Sequence, residues 1–144
     1  MDKRKTIAVL GPLVALAAAF STRSTAQQAT ASADPALIER GRYITHDLAM
    51  CVQCHTPRDE AGSLLRDHEF QGAPVPAVNT IRGVAWALRA PNIAGLVGFT
   101  DEQEIQLLTR GHADGRPAPK PPMPPFRMTE EDARAVVAYL RTVE

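Results

Sequence analysis

The chain has 144 residues, with 16 basic and 16 acidic side chains and a formal net charge of zero. This length predicts a single domain. The balanced charge argues against a nucleic-acid-binding protein, which needs a clustered basic surface. Aromatic residues make up only 5% of the chain, so a core built from side chains alone would be modest.

The first 26 residues have the pattern of a secretory signal peptide. Lys3, Arg4 and Lys5 form a basic start, residues 6–20 are largely apolar, and Ser24-Thr25-Ala26 offers a small-residue cleavage site. The pattern predicts export to the periplasm. The alternative is an uncleaved membrane anchor, which the short apolar run disfavours because a spanning helix needs about 20 apolar residues. We expect residues 27–33 to form a flexible leader and residues 34–144 to form the domain.

A helix is predicted from residue 35, after an N-cap at Asp34 and a proline at the first helical position. Its apolar stripe consists of Leu37, Gly41, Ile44 and Leu48. Gly41 lowers helix stability, so its expected role is to let another helix cross closely. The helix is expected to run into the next motif.

That motif is Cys51-Val52-Gln53-Cys54-His55, which contains both cysteines of the chain. Cys-x-x-Cys-His is the signature of covalent haem attachment. On a helical turn, residues three apart lie on one face, so both sulfurs can bond to the two vinyl groups of one haem. His55 would then offer a ring nitrogen to the iron.

Two other interpretations of the cysteine pair are weaker. A thioredoxin-like dithiol expects a strand–helix–strand context, whereas helical and irregular patterns flank this pair. A structural zinc site needs four protein ligands, and only His46, His68 and His112 are left to complete one.

The rest of the chain predicts an all-α fold with long Pro/Gly-rich loops. Residues 56–91 are expected to form an ordered loop with one short helical segment near residues 81–88. Thr100-Asp101-Glu102-Gln103 has the form of a capping box, and Gly111 is expected to end the helix that follows. Residues 116–126 contain six prolines and should be extended. Thr129 is expected to begin a last helix with Ala133, Val136, Val137 and Leu140 on its buried stripe.

Met123 is the leading candidate for the second axial ligand of the iron. It lies in Pro121-Pro122-Met123-Pro124-Pro125, where the prolines reduce the entropy lost on fixing the thioether. Histidine–methionine ligation raises the reduction potential. Met128 is expected to be structural, because it precedes the helix start at Thr129. Met50 is expected to contact the haem.

Taken together, these residues resemble class I c-type cytochromes over nearly all of the domain. Ala90-Pro91-Asn92-Ile93-Ala94-Gly95-Leu96 is similar to the family's Gly-Pro-Asn-Leu-x-Gly-Leu stretch, and Met123-Pro124-Pro125-Phe126 to its Met-Pro-x-Phe. The resemblance implies a cytochrome c fold around one covalent haem c. It also implies that Pro91 and Asn92 belong to the cofactor site, with the Pro91 carbonyl bonded to the axial histidine.

Gly41-Arg42-Tyr43-Ile44 and Cys54-His55-Thr56-Pro57-Arg58 narrow the resemblance to cytochrome c subunits and domains of periplasmic alcohol, sugar and aldehyde dehydrogenases. We therefore expect a one-electron carrier with no catalytic residues, working between a dehydrogenase or quinol-linked donor and an oxidase or reductase. It would be a free carrier or a subunit. The alternative is a haem sensor or peroxidase with an open distal site, to which His112 or Arg116 would contribute the polar group.

Overall fold

The computed structural model describes residues 34–144, so the predicted signal peptide and leader lie outside the described residues. Four α-helices form the frame: α1 (Pro35–Tyr43), α2 (Cys51–His55), α3 (Asp101–Arg110) and α4 (Glu130–Leu140). Two strands of two residues each, β1 (Ala73–Pro74) and β2 (Arg89–Ala90), pair antiparallel. Within this part of the chain, no helix is long and apolar enough to cross a bilayer. The predicted all-α fold is confirmed.

The crossing of α1 and α4 holds the two ends of the domain together. A Cβ atom added to Gly41 would overlap the backbone carbonyl of Ala135 and would lie 2.7 Å from the Cβ of Tyr139. The predicted close helix crossing at Gly41 is therefore confirmed, and any side chain there must push the helices apart. The stripe of α4 packs into this core, with Ala133, Val136, Val137 and Leu140 all buried.

The sequence predicted that the first helix continues into the cysteine motif, but in the structure the helix is interrupted. After Tyr43 the chain forms a π-helical turn, Ile44–Leu48, in which the Ala49 N–H donates to the Ile44 carbonyl at 2.8 Å. This wider turn shifts the helical phase, so Leu48 is 60% exposed and its predicted place on the buried stripe is wrong. Met50 then adopts a left-handed backbone (φ 53°), which starts α2 in a new direction.

The capping signals of α3 and α4 are confirmed. The Thr100 side chain accepts from the Gln103 N–H and the Gln103 side chain accepts from the Thr100 N–H, which completes the capping box. Gly111 ends α3 at φ 80°. At α4 the Thr129 hydroxyl accepts from the Asp132 N–H.

The loop from residue 56 to residue 91 contains a 3₁₀ turn, Arg66–His68, and the two short strands, but no helix over residues 81–88. That prediction is wrong because side-chain hydrogen bonds compete with helical ones here. The Asn79 side chain accepts from the Ile81 N–H at 2.9 Å and donates to the Val84 carbonyl at 3.1 Å. The segment is also tied to residues farther along the chain, since the Ala87 N–H donates to the Pro121 carbonyl at 2.8 Å.

Pairing of β1 with β2 brings the end of this loop close to α2. Ala73 pairs with Ala90, and the Gly72 N–H donates to the His55 carbonyl at 2.7 Å. Gly72 has a positive φ of 83°, and a Cβ there would lie 2.8 Å from the Asn92 nitrogen. Glycine thus allows the close approach that sets Pro91 beside His55.

Candidate functional site

One cavity of about 450 Å³ collects most of the residues singled out from the sequence. Its wall includes Cys51, Cys54, His55, Pro91 and Met123. Most of the remaining wall is apolar, from residues of the loop, α3, the proline-rich segment and α4, including Val75, Ile93, Leu107, Leu108, Phe126, Val136 and Leu140. The volume lies in the range of sites that enclose a small molecule or cofactor.

His55 is held in one orientation by a backbone carbonyl. The side chain is 7% exposed, and its Nδ1 lies 2.9 Å from the Pro91 carbonyl oxygen. Because a carbonyl only accepts, Nδ1 carries the hydrogen and Nε2 keeps its lone pair for a ligand. Burial lowers the pKa of His55, and the hydrogen bond to Pro91 partly offsets that shift. A neutral imidazole is the form that binds a metal ion.

The two cysteines line the same cavity from the adjacent turn. Both thiols are free and partly buried, and they lie three residues apart in α2. Burial, with a smaller contribution from Cys54, raises the pKa of the Cys51 thiol to about 11. A neutral Cys51 thiol therefore faces an apolar cavity at neutral pH, in position to bond to a ligand held there.

Met123 enters the wall from the proline-rich segment, which has no helix, as predicted. Its N–H donates to the Lys120 carbonyl at 3.3 Å. Met50 also lines the cavity, whereas Met128 does not. Met128 instead packs against the core, and its N–H donates to the Leu108 carbonyl at 3.0 Å. Of the two rival methionines, only Met123 therefore faces the cavity.

Asn92 and the other histidines lie outside the cavity wall. The Asn92 side chain accepts from the Ala94 N–H at 2.8 Å, so its visible role is to stabilise the turn after Pro91. His46 is bound to Glu69 at 2.9 Å and His68 to Gln71 at 3.1 Å. His112, the distal group considered for a sensor or peroxidase, is exposed.

Charged residues also reach the wall. Arg89, Arg116 and Lys120 supply three cations, and Glu104 supplies one carboxyl group. Glu104 was not among the candidate residues predicted from the sequence. A signal was present: Glu104 shares a helix face with Leu107 and Leu108, at spacings of three and four.

These residues fit a covalently attached haem. Two thiols can form thioethers, the imidazole of His55 and the thioether of Met123 can each ligate iron, and the apolar wall suits a porphyrin. The positive charges of Arg89, Arg116 and Lys120 are complementary to the negative charges of the two carboxylates that a haem carries.

Comparison with known proteins agrees with this geometry. The family model for cytochrome c matches residues 38–144. The chain is 30% identical over 114 residues to the fructose dehydrogenase cytochrome subunit of Gluconobacter japonicus, an alignment that covers 72% of this chain and 21% of that protein. It is 31% identical over 111 residues to a diheme cytochrome c-type protein of Cereibacter sphaeroides, covering 73% of this chain and 35% of that one. The chain thus spans about a fifth and a third of the length of these two relatives.

Proposed function

Because this chain belongs to the cytochrome c family, an electron-transfer family, we propose that it is a periplasmic monohaem electron carrier whose iron is ligated by His55 and Met123. The single observation that carries the proposal is the shared cavity. It brings Cys51, Cys54, His55 and Met123 together from two distant parts of the chain. The number of haems rests on the sequence, which has two cysteines and one Cys-x-x-Cys-His motif.

When bound, the haem supplies a reversible one-electron Fe(III)/Fe(II) couple. Cys51 and Cys54 would hold it through thioethers, and the Nε2 atom of His55 would bind the iron. The Pro91 carbonyl fixes the orientation and tautomer of that imidazole. The Met123 sulfur, a soft ligand, would favour the ferrous state and raise the reduction potential. The mostly apolar wall would limit the access of water to the iron.

The redox partners are proposed from the relatives. One relative is the cytochrome subunit of a fructose dehydrogenase, so a dehydrogenase or a quinol-linked complex is a suitable electron donor. An oxidase or reductase would be the acceptor. The present chain would serve as a dedicated subunit or as a free carrier. Copurification from the native host separates the two: a subunit stays with a dehydrogenase through size-exclusion chromatography, and a free carrier does not.

The periplasmic location is proposed from the signal-peptide pattern of residues 1–26. Intact-mass measurement of the exported protein tests it together with the haem count. The expected mass is that of residues 27–144 plus one haem. A mass that retains residues 1–26 would contradict cleavage, and one without haem would contradict attachment.

The ligand set is tested by absorption spectra of the exported protein in both oxidation states. A low-spin c-type spectrum, with the weak near-infrared sulfur-to-iron band in the ferric form, is expected. Carbon monoxide should bind slowly or not at all if Met123 ligates the iron. A high-spin spectrum with ready carbon monoxide binding would contradict the carrier and favour the sensor or peroxidase.

A further inference from the structure

Glu104 is a buried carboxyl group in the wall of the proposed haem cavity. Its side chain belongs to α3, the residue is 6% exposed, and it lines the same cavity as His55 and Met123. Among the described residues 34–144, no fully buried side-chain oxygen lacks a hydrogen-bond partner, so the carboxyl oxygens of Glu104, which have no hydrogen bond or ion pair there, keep some accessible surface. A carboxyl group in a mostly apolar wall is costly to ionise, so its protonation should respond to what occupies the cavity.

The two arginines whose charges lower the pKa of Glu104, Arg116 and Arg141, are bound to other groups. The Arg141 guanidinium binds Asp101 at 2.7 Å and donates to the carbonyls of Gly95, Leu96 and Phe99. The Arg116 guanidinium donates to the Gly98 carbonyl at 3.0 Å and stacks 3.9 Å from the centre of the Phe99 ring. Both arginines act on Glu104 only through space. The other titratable groups of the cavity wall are Cys51, Cys54, His55, Arg89 and Lys120.

Burial raises the pKa of Glu104 above its ordinary value of 4.5, and the charges of Arg116 and Arg141 oppose the shift without cancelling it. The proton affinity of the carboxyl group is therefore sensitive to any further charge inside the cavity. A ferric haem centre carries one more positive charge than a ferrous one. At an effective dielectric constant of about 20, a unit charge about 12 Å away changes the proton affinity of a carboxyl group about tenfold.

We propose that Glu104 couples electron transfer in this cytochrome to the uptake and release of one proton. This inference rests on the proposed function, since it needs a haem in the cavity. On reduction, one electron arrives from the donor protein and the Glu104 carboxylate takes one proton from solvent to become a neutral acid. On oxidation, the electron leaves for the acceptor protein and the O–H bond of Glu104 breaks, returning the proton to solvent.

The sign of the pH dependence follows from linkage. The pKa of Glu104 is higher in the reduced protein, because the extra positive charge of the oxidised protein favours the carboxylate. The reduction potential should be constant below the oxidised-state pKa, fall between the two pKa values and become constant again above the reduced-state pKa. A tenfold difference in proton affinity corresponds to a total fall of about 59 mV. The fall should begin at the oxidised-state pKa, which burial raises and the positive charge of the ferric centre lowers.

The test is a pH series of reduction potentials on the holoprotein with Glu104→Gln, which keeps the shape of the side chain and removes its titration. Glu102→Gln is the matched control, because Glu102 lies on the same helix and is exposed. We expect the fall in reduction potential with rising pH to vanish in Glu104→Gln and to persist in Glu102→Gln. An unchanged fall in Glu104→Gln would overturn the proposal and assign the proton to the haem carboxylates or another group.

Redox-difference infrared spectroscopy gives a second readout that a merely structural role would not produce. Reduction should create a protonated-carboxyl band that shifts in D₂O and is missing in Glu104→Gln. A wild-type spectrum without that band contradicts the proposal even if the variant proves unstable. A low-spin spectrum with the near-infrared band, measured on the same samples, keeps a failure of this inference distinct from a failure of the His55–Met123 assignment.

Discussion

Two stretches of the cavity wall hold their key residues by different means. On the histidine side, α2 sets three candidate haem-binding side chains on one short helix, and the His55 Nδ1–H donates a hydrogen bond to the Pro91 carbonyl, which fixes the imidazole. On the methionine side, Met123 lies in a segment without helix or strand, held by its prolines and by backbone hydrogen bonds at Lys120 and Pro121. Helical geometry positions the residues of the histidine side, whereas a proline-rich backbone with few accessible conformations positions Met123.

This difference separates two properties of the protein. In the proposed function, the histidine side would determine whether haem is attached at all, since the covalent bonds would be made there. The methionine side would determine the potential of the attached haem, because it would supply the sixth ligand. Variants on the histidine side should therefore change haem attachment, and variants on the methionine side should change the reduction potential.

The largest effect is expected on the histidine side from Cys51→Ala with Cys54→Ala. Without either thiol no thioether can form, so covalent haem should be lost completely. Haem staining of a denaturing gel, or intact mass, measures this. Gln53→Ala, between the two cysteines, is the control and should retain haem. Covalent haem in the double variant would show that the attachment site lies elsewhere.

On the methionine side, Met123→Ala should leave haem attached and lower the reduction potential. The expected fall is on the order of 100 mV, a fraction of the range of about 0.8 V that axial ligands span. Potentiometric titration measures it. Met128→Leu is the matched control, because Met128 packs against the core outside the cavity. A potential lowered by Met128→Leu and unchanged in Met123→Ala would reverse the assignment of the two methionines.

A substitution outside both sides, at the crossing of α1 and α4, should lower the free energy of unfolding and leave the haem spectrum unchanged. Gly41→Ala adds a Cβ that overlaps α4 at Ala135, and overpacking of this kind costs about 1–3 kcal/mol of unfolding free energy. Denaturant unfolding of the holoprotein measures it. Glu39→Gln, exposed on the same helix, should change stability little. An unaltered midpoint in Gly41→Ala would mean that the helices do not cross as closely as described.

The smallest effect is expected from Pro91→Ala, even though Pro91 touches the key histidine. The His55 hydrogen bond is accepted by the backbone carbonyl of residue 91, which alanine also supplies. The reduction potential should shift by less than about 59 mV, the equivalent of a tenfold change for one electron. A larger shift, matched by a high-spin spectrum, would indicate that the proline ring itself orients the imidazole.

The sequence predicted the parts of the molecule that obey local rules. The capping box at Thr100, the end of α3 at Gly111 and the close crossing at Gly41 each depend on one residue type with one physical property. The break between α1 and α2 was missed because a π-helical turn and the left-handed Met50 leave no periodic signal. The helix expected at residues 81–88 was wrong because Asn79 supplies competing hydrogen bonds that apolar spacing does not reveal.

For the site, the sequence indicated the residues but not how the chain brings them together. The run of prolines indicated Met123 and the family resemblance indicated Pro91, whereas the short β1–β2 pair and Gly72, which bring the loop back to His55, required the structure. Asn92 was named with Pro91, yet its side chain stabilises a turn. Glu104 was missed because its neighbours Asp101 and Glu102 are ordinary acids of a helix start, and burial distinguishes it from them only in three dimensions.

The central claim is that the two stretches of wall supply one nitrogen ligand and one sulfur ligand to the same iron. Iron K-edge X-ray absorption of the exported ferric protein tests it most directly, because sulfur and nitrogen scatterers are distinguished in the first coordination shell. One sulfur neighbour is expected together with the nitrogens of the porphyrin and His55, and that sulfur should be lost in Met123→Ala. A first shell of nitrogen and oxygen alone in the wild-type protein would contradict it.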